Sequence, residues 1–487
     1  MTTTQTPTVN LPVRLFTRST KYAIPPDQYL IPSHWKRFQL SQLINKVLDL
    51  ASTSPVPFDF VIDGELLRGS LGDWSQSKGQ GDGGESVLEI EYIESVLPPT
   101  LLNTYQHDDW VSSVSAQKKG FFLTGSYDSR LRVFSHAQNL ICTIPTGSST
   151  GGVTDVCWLS SPSFSGSSNE DWLASGNMDG ITRVFSFPSL STANPSALLE
   201  GSTLKAKAQL ELHHHTSPIS SIQSNSPTTE SSSSGSSLIL TSSWDSTLAI
   251  FNLSPLPTAH DPSVPAPIKQ SNRESKRRKL DTALIEEQEL EAKEVTEGLE
   301  VGQGGWRLGP QVVLKGHQAR VGRAIWGREE GRVWSCAWDG SVRGWDVDLE
   351  MNHLTKQGPS DKICLDMDLM AGTGNVLATS HADRTVSLWD TREESTVISL
   401  SFPSAHTSSI PLIRSHPTSS HLLFTAGHDG QIKIWDARSP KQALLGVKRE
   451  LKEDKKGMEK LLGGDWDGEL LGVGGEACEL EVYRGKI

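Results

Sequence analysis

At 487 residues, with 36% apolar and 21% charged side chains, the chain is too long for one ordinary compact core and suits a small domain plus a larger one, or a repeat array. Its formal charge of -12 excludes a surface that wraps nucleic acid throughout, because phosphate neutralisation needs a basic footprint, and no run of about 18 apolar residues is present to cross a bilayer. Residues 1–9 lack the basic and apolar regions of a secretory signal, so the protein is expected inside the cell, and Cys142, Cys157, Cys336, Cys364 and Cys478, with no C-x-x-C pair, read as reduced core thiols.

In chain order, residues 13–16 and 22–24 read as a hairpin. Ser41 then caps a helix whose Leu43, Ile44, Val47, Leu48 and Ala51 fall at helical spacing. Residues 58–62, 66–67 and 87–92 return to strands. This β-β-α-β-β order with one amphipathic helix predicts a small α+β ubiquitin-like roll, with a core at about 9–96 of a domain covering 1–98.

From residue 99 onward a repeat takes over. A Ser or Thr is followed four residues later by Asp, and six further on by an aromatic. Six copies keep this spacing: Thr124/Asp128/Phe134, Ser175/Asp179/Phe185, Thr241/Asp245/Phe251, Ser335/Asp339/Trp345, Thr379/Asp383/Trp389 and Thr425/Asp429/Trp435. Alternating apolar residues on both sides make each copy a strand, a tight turn and a returning strand. The Asp-Gly pairs at Asp179, Asp339 and Asp429 suit such turns, since Gly accepts positive φ. His317 and His406 stand upstream of Asp339 and Asp429 at matching distances. These residues resemble the WD-repeat family, whose blades carry a hydrogen-bonded His, Ser/Thr, Asp and Trp set. The resemblance makes His317, Ser335, Asp339 and Trp345, and likewise His406, Thr425, Asp429 and Trp435, structural rather than catalytic. A weaker seventh unit lies at 461–466, 470–473 and 479–483, without a turn Asp. The expected architecture is therefore mainly β, a seven-bladed WD-repeat propeller over 99–487. Its ring would be closed by a strand from residues 94–104, so that a cut at Pro99 would open it.

Turn Asp residues 245 and 339 stand 94 positions apart, against 44 and 46 in the later blades. The extra segment, about 254–311, is basic at Lys276, Arg277, Arg278 and Lys279 and acidic at 284–300, which predicts a disordered, solvated insertion with one transient helix. The Ser-rich stretch 224–237 reads as a second disordered loop. The four cations are either a solvated face or a nuclear import signal. His213, His214 and His215 cannot all face one ion; one of them is expected to fill the His position of the third blade, and the chain is assigned no metal or cofactor of its own. No Walker loop, nucleophile elbow or His-Glu-x-x-His motif is present, so no enzymatic activity is expected.

Three segments carry a closer resemblance: 55–60 (PVPFDF), 64–68 (GELLR) and above all 88–99 (LEIEYIESVLPP). With the propeller, they resemble the ubiquitin-like-domain WD-repeat proteins of ribosome biogenesis, the propeller subunits of the PeBoW complex. That resemblance implies a heterotrimer with the block-of-proliferation WD-repeat protein and pescadillo. It further implies work on the pre-60S particle in the nucleolus and nucleoplasm, maturation of 25S/28S and 5.8S rRNA, and release by midasin, an AAA-type ATPase. Aligned through the 88–92 strand, Glu85 is the residue that would offer its carboxylate to a metal ion held by midasin. Without the resemblance, Glu85 reads as one more solvated acid beside Asp82. A different function is suggested by Trp389-Asp390-Thr391-Arg392 and Trp435-Asp436-Ala437-Arg438, which resemble the Trp-Asp-x-Arg motif of substrate receptors in cullin-RING ubiquitin ligases.

Overall fold

The structure, a computed structural model, describes residues 10–50, 55–78, 87–95, 98–136, 140–147, 151–159, 170–190, 206–225, 238–254, 261–262, 264, 306–358, 362–372, 375–392, 400–449, 451, 455 and 457–485. The chain divides into two compact units, Met1–Pro99 with Lys433–Gly446 and Gly485–Ile487, and Thr100–Ile432 with Val447–Arg484.

The N-terminal roll is built from β1 (Asn10–Phe16), β2 (Gln28–Pro32), α1 (Arg37–Val47), β3 (Phe58–Ile62), β4 (Glu65–Leu66), α2 (Leu71–Ser77) and β5 (Leu88–Glu94). Its mixed sheet runs β2-β1-β5-β3-β4, with β1 and β5 parallel at the centre. Period-2 side chains of the strands, among them Val13, Leu15, Phe58, Phe60, Ile62, Ile90 and Tyr92, meet Leu40 and Ile44 of α1 and Leu71 and Trp74 of α2 in one core.

Three expectations here are corrected. The partner of β1 is β2 rather than 22–24, because Tyr22 turns inward through a short 3-10 segment; the Tyr92 hydroxyl donates to the Tyr22 carbonyl at 2.6 Å and accepts the Ile24 N–H at 3.2 Å. The helix starts at Arg37, and Ser41 lies inside it, where its hydroxyl accepts the Phe58 N–H at 3.1 Å and so ties helix to sheet. A second helix, α2, begins at a reciprocal cap: Ser70 Oγ accepts the Asp73 N–H at 3.1 Å and Asp73 Oδ2 accepts the Ser70 N–H at 3.0 Å.

Among the described residues, seven further sheets follow one another along the chain, numbered here as blades 1 to 7. Their innermost strands are Val111–Ser115, Val153–Leu159, Ile219–Ser224, Val321–Trp326, Cys364–Leu369, Leu412–Ser415 and Leu461–Trp466. Each packs on the next, and that of blade 7 packs back on that of blade 1, closing a ring. The closing strand of blade 7 is β6 (Thr100–Gln106), antiparallel to Glu479–Arg484. It thus lies beyond Pro99, whereas Glu94, the first residue of the expected closing segment, belongs to β5. A cut at Pro99 leaves the ring's closing strand in place.

The inner strands share a device. Six of them carry a β-bulge between their first and third residues, which re-aims the third side chain. Those residues, Ser113, Asp155, Ser221, Arg323, Asp366 and Gly463, line the axial channel together with Leu412 of blade 6. Glycine is required in blade 7, because a Cβ on Gly463 would stand 2.6 Å from the Ser112 carbonyl oxygen of blade 1. On or just after the inner strands, side chains reach backbone of the following blade: Gln117 accepts the Trp158 N–H, Asp155 the Ile222 N–H, Gln223 the Trp326 N–H, Asp366 the Ile413 N–H and Asp465 the Ala116 N–H.

Part of the expected insertion is structured. Trp306–Leu308 adds a fifth strand to blade 2, parallel to Lys207–His213, and Trp306 and Leu308 pack against the buried cluster around Leu210 and Phe251. The same run continues into Val312–Lys315, the last strand of blade 3, so ten residues complete two neighbouring blades. An indole and a leucine flanking an arginine were enough to bury here once the edge of blade 2 stood open. Of the rest of the insertion, Ser254, Asp261, Pro262, Val264 and residues 309–311 are described, and its other residues, like 226–237, lie outside the described residues.

Candidate functional site

Two of the sites expected from the sequence, Glu85 and the run Lys276, Arg277, Arg278 and Lys279, lie outside the described residues. In the sequence Glu85 stands three residues before β5, the central strand of the roll.

The blade sets are brought together. In blade 4 the Trp345 indole N–H donates to Ser335 Oγ at 2.7 Å, Ser335 Oγ meets His317 Nε2 at 2.6 Å, and His317 Nδ1 faces Asp339 at 3.3 Å. Because a carboxylate only accepts, Nδ1 carries the proton and Nε2 accepts from the serine. In blade 6, His406 Nε2 lies 2.7 Å from Thr425 Oγ1 and its Nδ1 lies 3.1 Å from Asp429, and Trp435 is buried. In blade 3 it is His215, of the three consecutive histidines, that joins Thr241 at 2.9 Å and Asp245 at 3.0 Å. His213 pairs with Glu211 instead, and His214 meets His215 edge-on.

The order Ser–His–Asp is that of a nucleophilic triad, but Ser335 and Thr425 are fully buried and Ser335 Oγ already receives an indole proton. No substrate can reach these hydroxyls, so their role is to fasten the connector entering each blade to its turn. Two further sets were missed by the spacing argument. His107 Nε2 bonds Thr124 Oγ1 at 2.9 Å in blade 1, and His381, inside the strand itself, bonds Thr379 Oγ1 at 3.0 Å in blade 5, where the Trp389 indole also donates to Thr379.

Burial holds His107 and His381 down to about 4, with Arg132 adding to the effect on His107 and Asp383 opposing it on His381. Burial, the largest single effect, would raise Asp245, Asp339 and Asp429, but the hydrogen bonds from their histidines, from neighbouring hydroxyls and from backbone N–H groups together outweigh it and hold all three well below the carboxylate range. For a histidine depressed in the fold, the unfolded chain takes up its proton first as pH falls. Stability is therefore complete above about 6.5 and declines towards 4, by about 1.4 kcal/mol per pH unit for each such histidine. The depressed carboxylates contribute above the ordinary value near 3.8 and lose that contribution only below it. Thermal melts are expected to show a midpoint that is flat above neutrality, falls between about pH 6.5 and 4, and falls more steeply in stronger acid. A midpoint constant down to about pH 4 would contradict the histidine assignment.

Arg392 and Arg438 of the two Trp-Asp-x-Arg motifs each fork onto the Asp two residues before: Arg392 reaches Asp390 at 3.0 and 2.6 Å, and Arg438 reaches Asp436 at 2.9 and 2.5 Å. Closing the end of a strand accounts for both.

One backbone bond recurs in every blade and defines an outward face. The residue at the head of the hairpin turn donates its N–H to the carbonyl of the connector entering the blade: Tyr127 to Trp110, Met178 to Gly152, Trp244 to Pro218, Trp338 to Arg320, Ala382 to Ile363, His428 to Ser409 and Glu476 to Lys460. Blades 1, 3 and 4 thus set Trp110, Trp244 and Trp338 out as exposed indoles, each more than a third accessible. Blades 6 and 7 place polar pairs at the same position, His428 with Ser409 at 2.8 Å and Lys460 with Glu476 at 2.7 Å.

Seven hairpin-bearing blades, three of them fastened by sealed His–Ser/Thr–Asp sets, with an α+β roll before them in the chain, define a WD-repeat propeller protein with a ubiquitin-like domain. The family model described as the NLE (NUC135) domain matches residues 11–74, and that of the WD domain, G-beta repeat, matches 99–135, 206–252 and 397–436. Over almost its whole length the chain is similar to proteins named ribosome biogenesis protein YTM1. It is 37% identical to that of Laccaria bicolor, with 98% of this chain and 95% of the relative covered, and 33% identical to that of Coprinopsis cinerea, with 96% and 94% covered. Similarity to the Aspergillus oryzae protein of the same name is 28% over 97% of this chain. The chain belongs to the Ytm1 family of ribosome biogenesis proteins.

Proposed function

We propose that the protein is a non-catalytic adaptor of the pre-60S particle, anchored by its propeller and removed through its N-terminal roll. The observation that carries this reading is the match to ribosome biogenesis proteins over both units rather than over the repeats alone. The propeller binds the block-of-proliferation WD-repeat protein, which in turn holds pescadillo, and the trimer serves maturation of 25S/28S and 5.8S rRNA in the nucleolus and nucleoplasm. Lys276, Arg277, Arg278 and Lys279 carry the chain into the nucleus. The buried blade histidines favour this reading, since the groups that would be nucleophiles in an enzyme are used up in holding blades together.

Glu85 supplies the handle for removal. A hard divalent ion such as Mg²⁺ takes oxygen ligands and leaves a position for an incoming carboxylate, which an amide fills poorly. The position suits that role, at the end of a Gly-rich segment that enters the central strand β5. Full-length protein is expected to bind the metal-bearing domain of midasin only with Mg²⁺, and Glu85→Ala and Glu85→Gln are expected to weaken binding by about two orders of magnitude or more. Equal affinity of the variants, or binding undiminished by chelator, would remove the handle. Purification of the tagged chain from nuclear extract tests the wider reading. Pre-60S proteins are expected; cullin adaptors in their place would transfer the protein to ubiquitin ligation.

A further inference from the structure

We propose that the face of blades 3 and 4 is a docking site for a protein segment bearing a carboxylate, received edge-on by the guanidinium of Arg320. The inference rests on the adaptor reading only in taking the occupant to be protein.

Arg320 sits in the connector entering blade 4, between the indoles at the heads of two successive turns. Its Cζ lies 4.6 Å from the ring centroid of Trp244 and 5.1 Å from that of Trp338. Two indoles within cation–π distance hold the guanidinium while satisfying none of its N–H groups, which remain for an acceptor from outside. Among the described residues the side chain of Arg320 makes no hydrogen bond or ion pair, while its backbone carbonyl is held by the Trp338 N–H at 2.9 Å.

The sevenfold register shows what is missing. Lys460 of blade 7 occupies the connector position that Arg320 occupies in blade 4, and its ammonium is paired with Glu476 at the head of the same turn. In blade 4 that head is Trp338, which stacks on the cation and cannot neutralise it. A stacked, preoriented cation with its carboxylate partner absent is complementary to an acid from outside, and the fork of Arg fits a carboxylate with two parallel hydrogen bonds. Trp244 and Trp338 are 36% and 39% accessible, leaving apolar surface for side chains beside that acid. Tryptophan and arginine together are the residues on which binding energy concentrates in protein interfaces.

A nucleic acid fits less well. Backbone phosphates are held by several cations at once, whereas the two indoles here hold a single guanidinium, that of Arg320.

The test is selection of random short peptides, displayed on phage, against immobilised full-length protein, followed by direct binding of the enriched peptides. Enriched sequences are expected to share an Asp or Glu next to an apolar residue. Their binding should quench tryptophan fluorescence and fall about tenfold or more, the loss of one charged hydrogen-bonded contact, in Arg320→Gln and when the peptide acid is replaced by its amide. Arg320→Lys, which keeps the charge but not the fork, should also weaken it, with the melting midpoint of each variant unchanged. Enriched peptides without an acid, binding indifferent to Arg320→Gln, no enrichment at all, or an oligouridylate that binds and is lost in Arg320→Gln would each overturn the proposal. Failure of the adaptor reading is separately visible as the absence of pre-60S proteins from the purified wild-type chain.

Discussion

A chain shortened to 107–487 is expected to lose cooperative unfolding and to aggregate, whereas one beginning at residue 98 is expected to fold. The shorter chain lacks β6, and with it the whole ladder from Gln106 opposite Glu479 to Thr100 opposite Arg484. Tyr105 goes too, a buried ring 4.5 Å from Phe134 whose hydroxyl donates to the Ser135 carbonyl, so the seam between blades 7 and 1 is opened as well. Burial of one such side chain is worth about 2–3 kcal/mol, and the strand left at the edge would offer a row of unpaired backbone groups to other chains. Equal midpoints and equal cooperativity for the two fragments in calorimetry would show that the ring does not depend on its closing strand.

Asp366→Ala is expected to cost about 3–5 kcal/mol, the range for removing one partner of a buried ion pair. This carboxylate, 5% exposed at the bulge of blade 5, is shared by three blades: Arg323 of blade 4 approaches at 3.4 Å, and from blade 6 Arg414 at 2.5 Å and the Ile413 N–H at 2.9 Å. Its loss leaves two guanidiniums facing the channel without that partner. Asp366→Asn retains acceptance from Ile413 while losing the charge, and is expected to fall between wild type and alanine. Denaturant unfolding of the three proteins measures this directly; an alanine variant within about 0.5 kcal/mol of wild type would place the blades' attachment elsewhere.

Why some of this was legible in the sequence and some was not has a physical basis. The turn aspartates stand out because each hairpin needs the same residue at the same strand offset, so their spacing is as regular as the strands. The histidines are less regular, since they precede an inner strand and a connector of variable length: His107, His317 and His406 lie 17, 18 and 19 residues before their hydroxyl partners. His381 follows its Thr379 by two residues, and no rule about upstream histidines could find it. Helix α2, capped by Ser70 and Asp73, has seven residues, too few for a periodicity to show. Trp306–Leu308 lay hidden because a three-residue strand is defined by the open edge that receives it rather than by its own pattern. Asp366, Arg323 and Arg414 carry no local pattern that marks them in the sequence, because only the ring brings blades 4, 5 and 6 together at the channel. Glu85 and the basic run were picked out by resemblance and by charge, neither of which depends on a fold.

On the proposed function, an anchored propeller is removed through one acid on the roll. Sedimentation of nuclear extracts from cells expressing tagged wild-type or Glu85→Ala protein tests it most directly. The expected result is retention: the variant accumulates in large-subunit precursor fractions, while wild-type protein divides between those fractions and a free pool. Identical profiles for the two proteins, with both present on the particles, would contradict the claim.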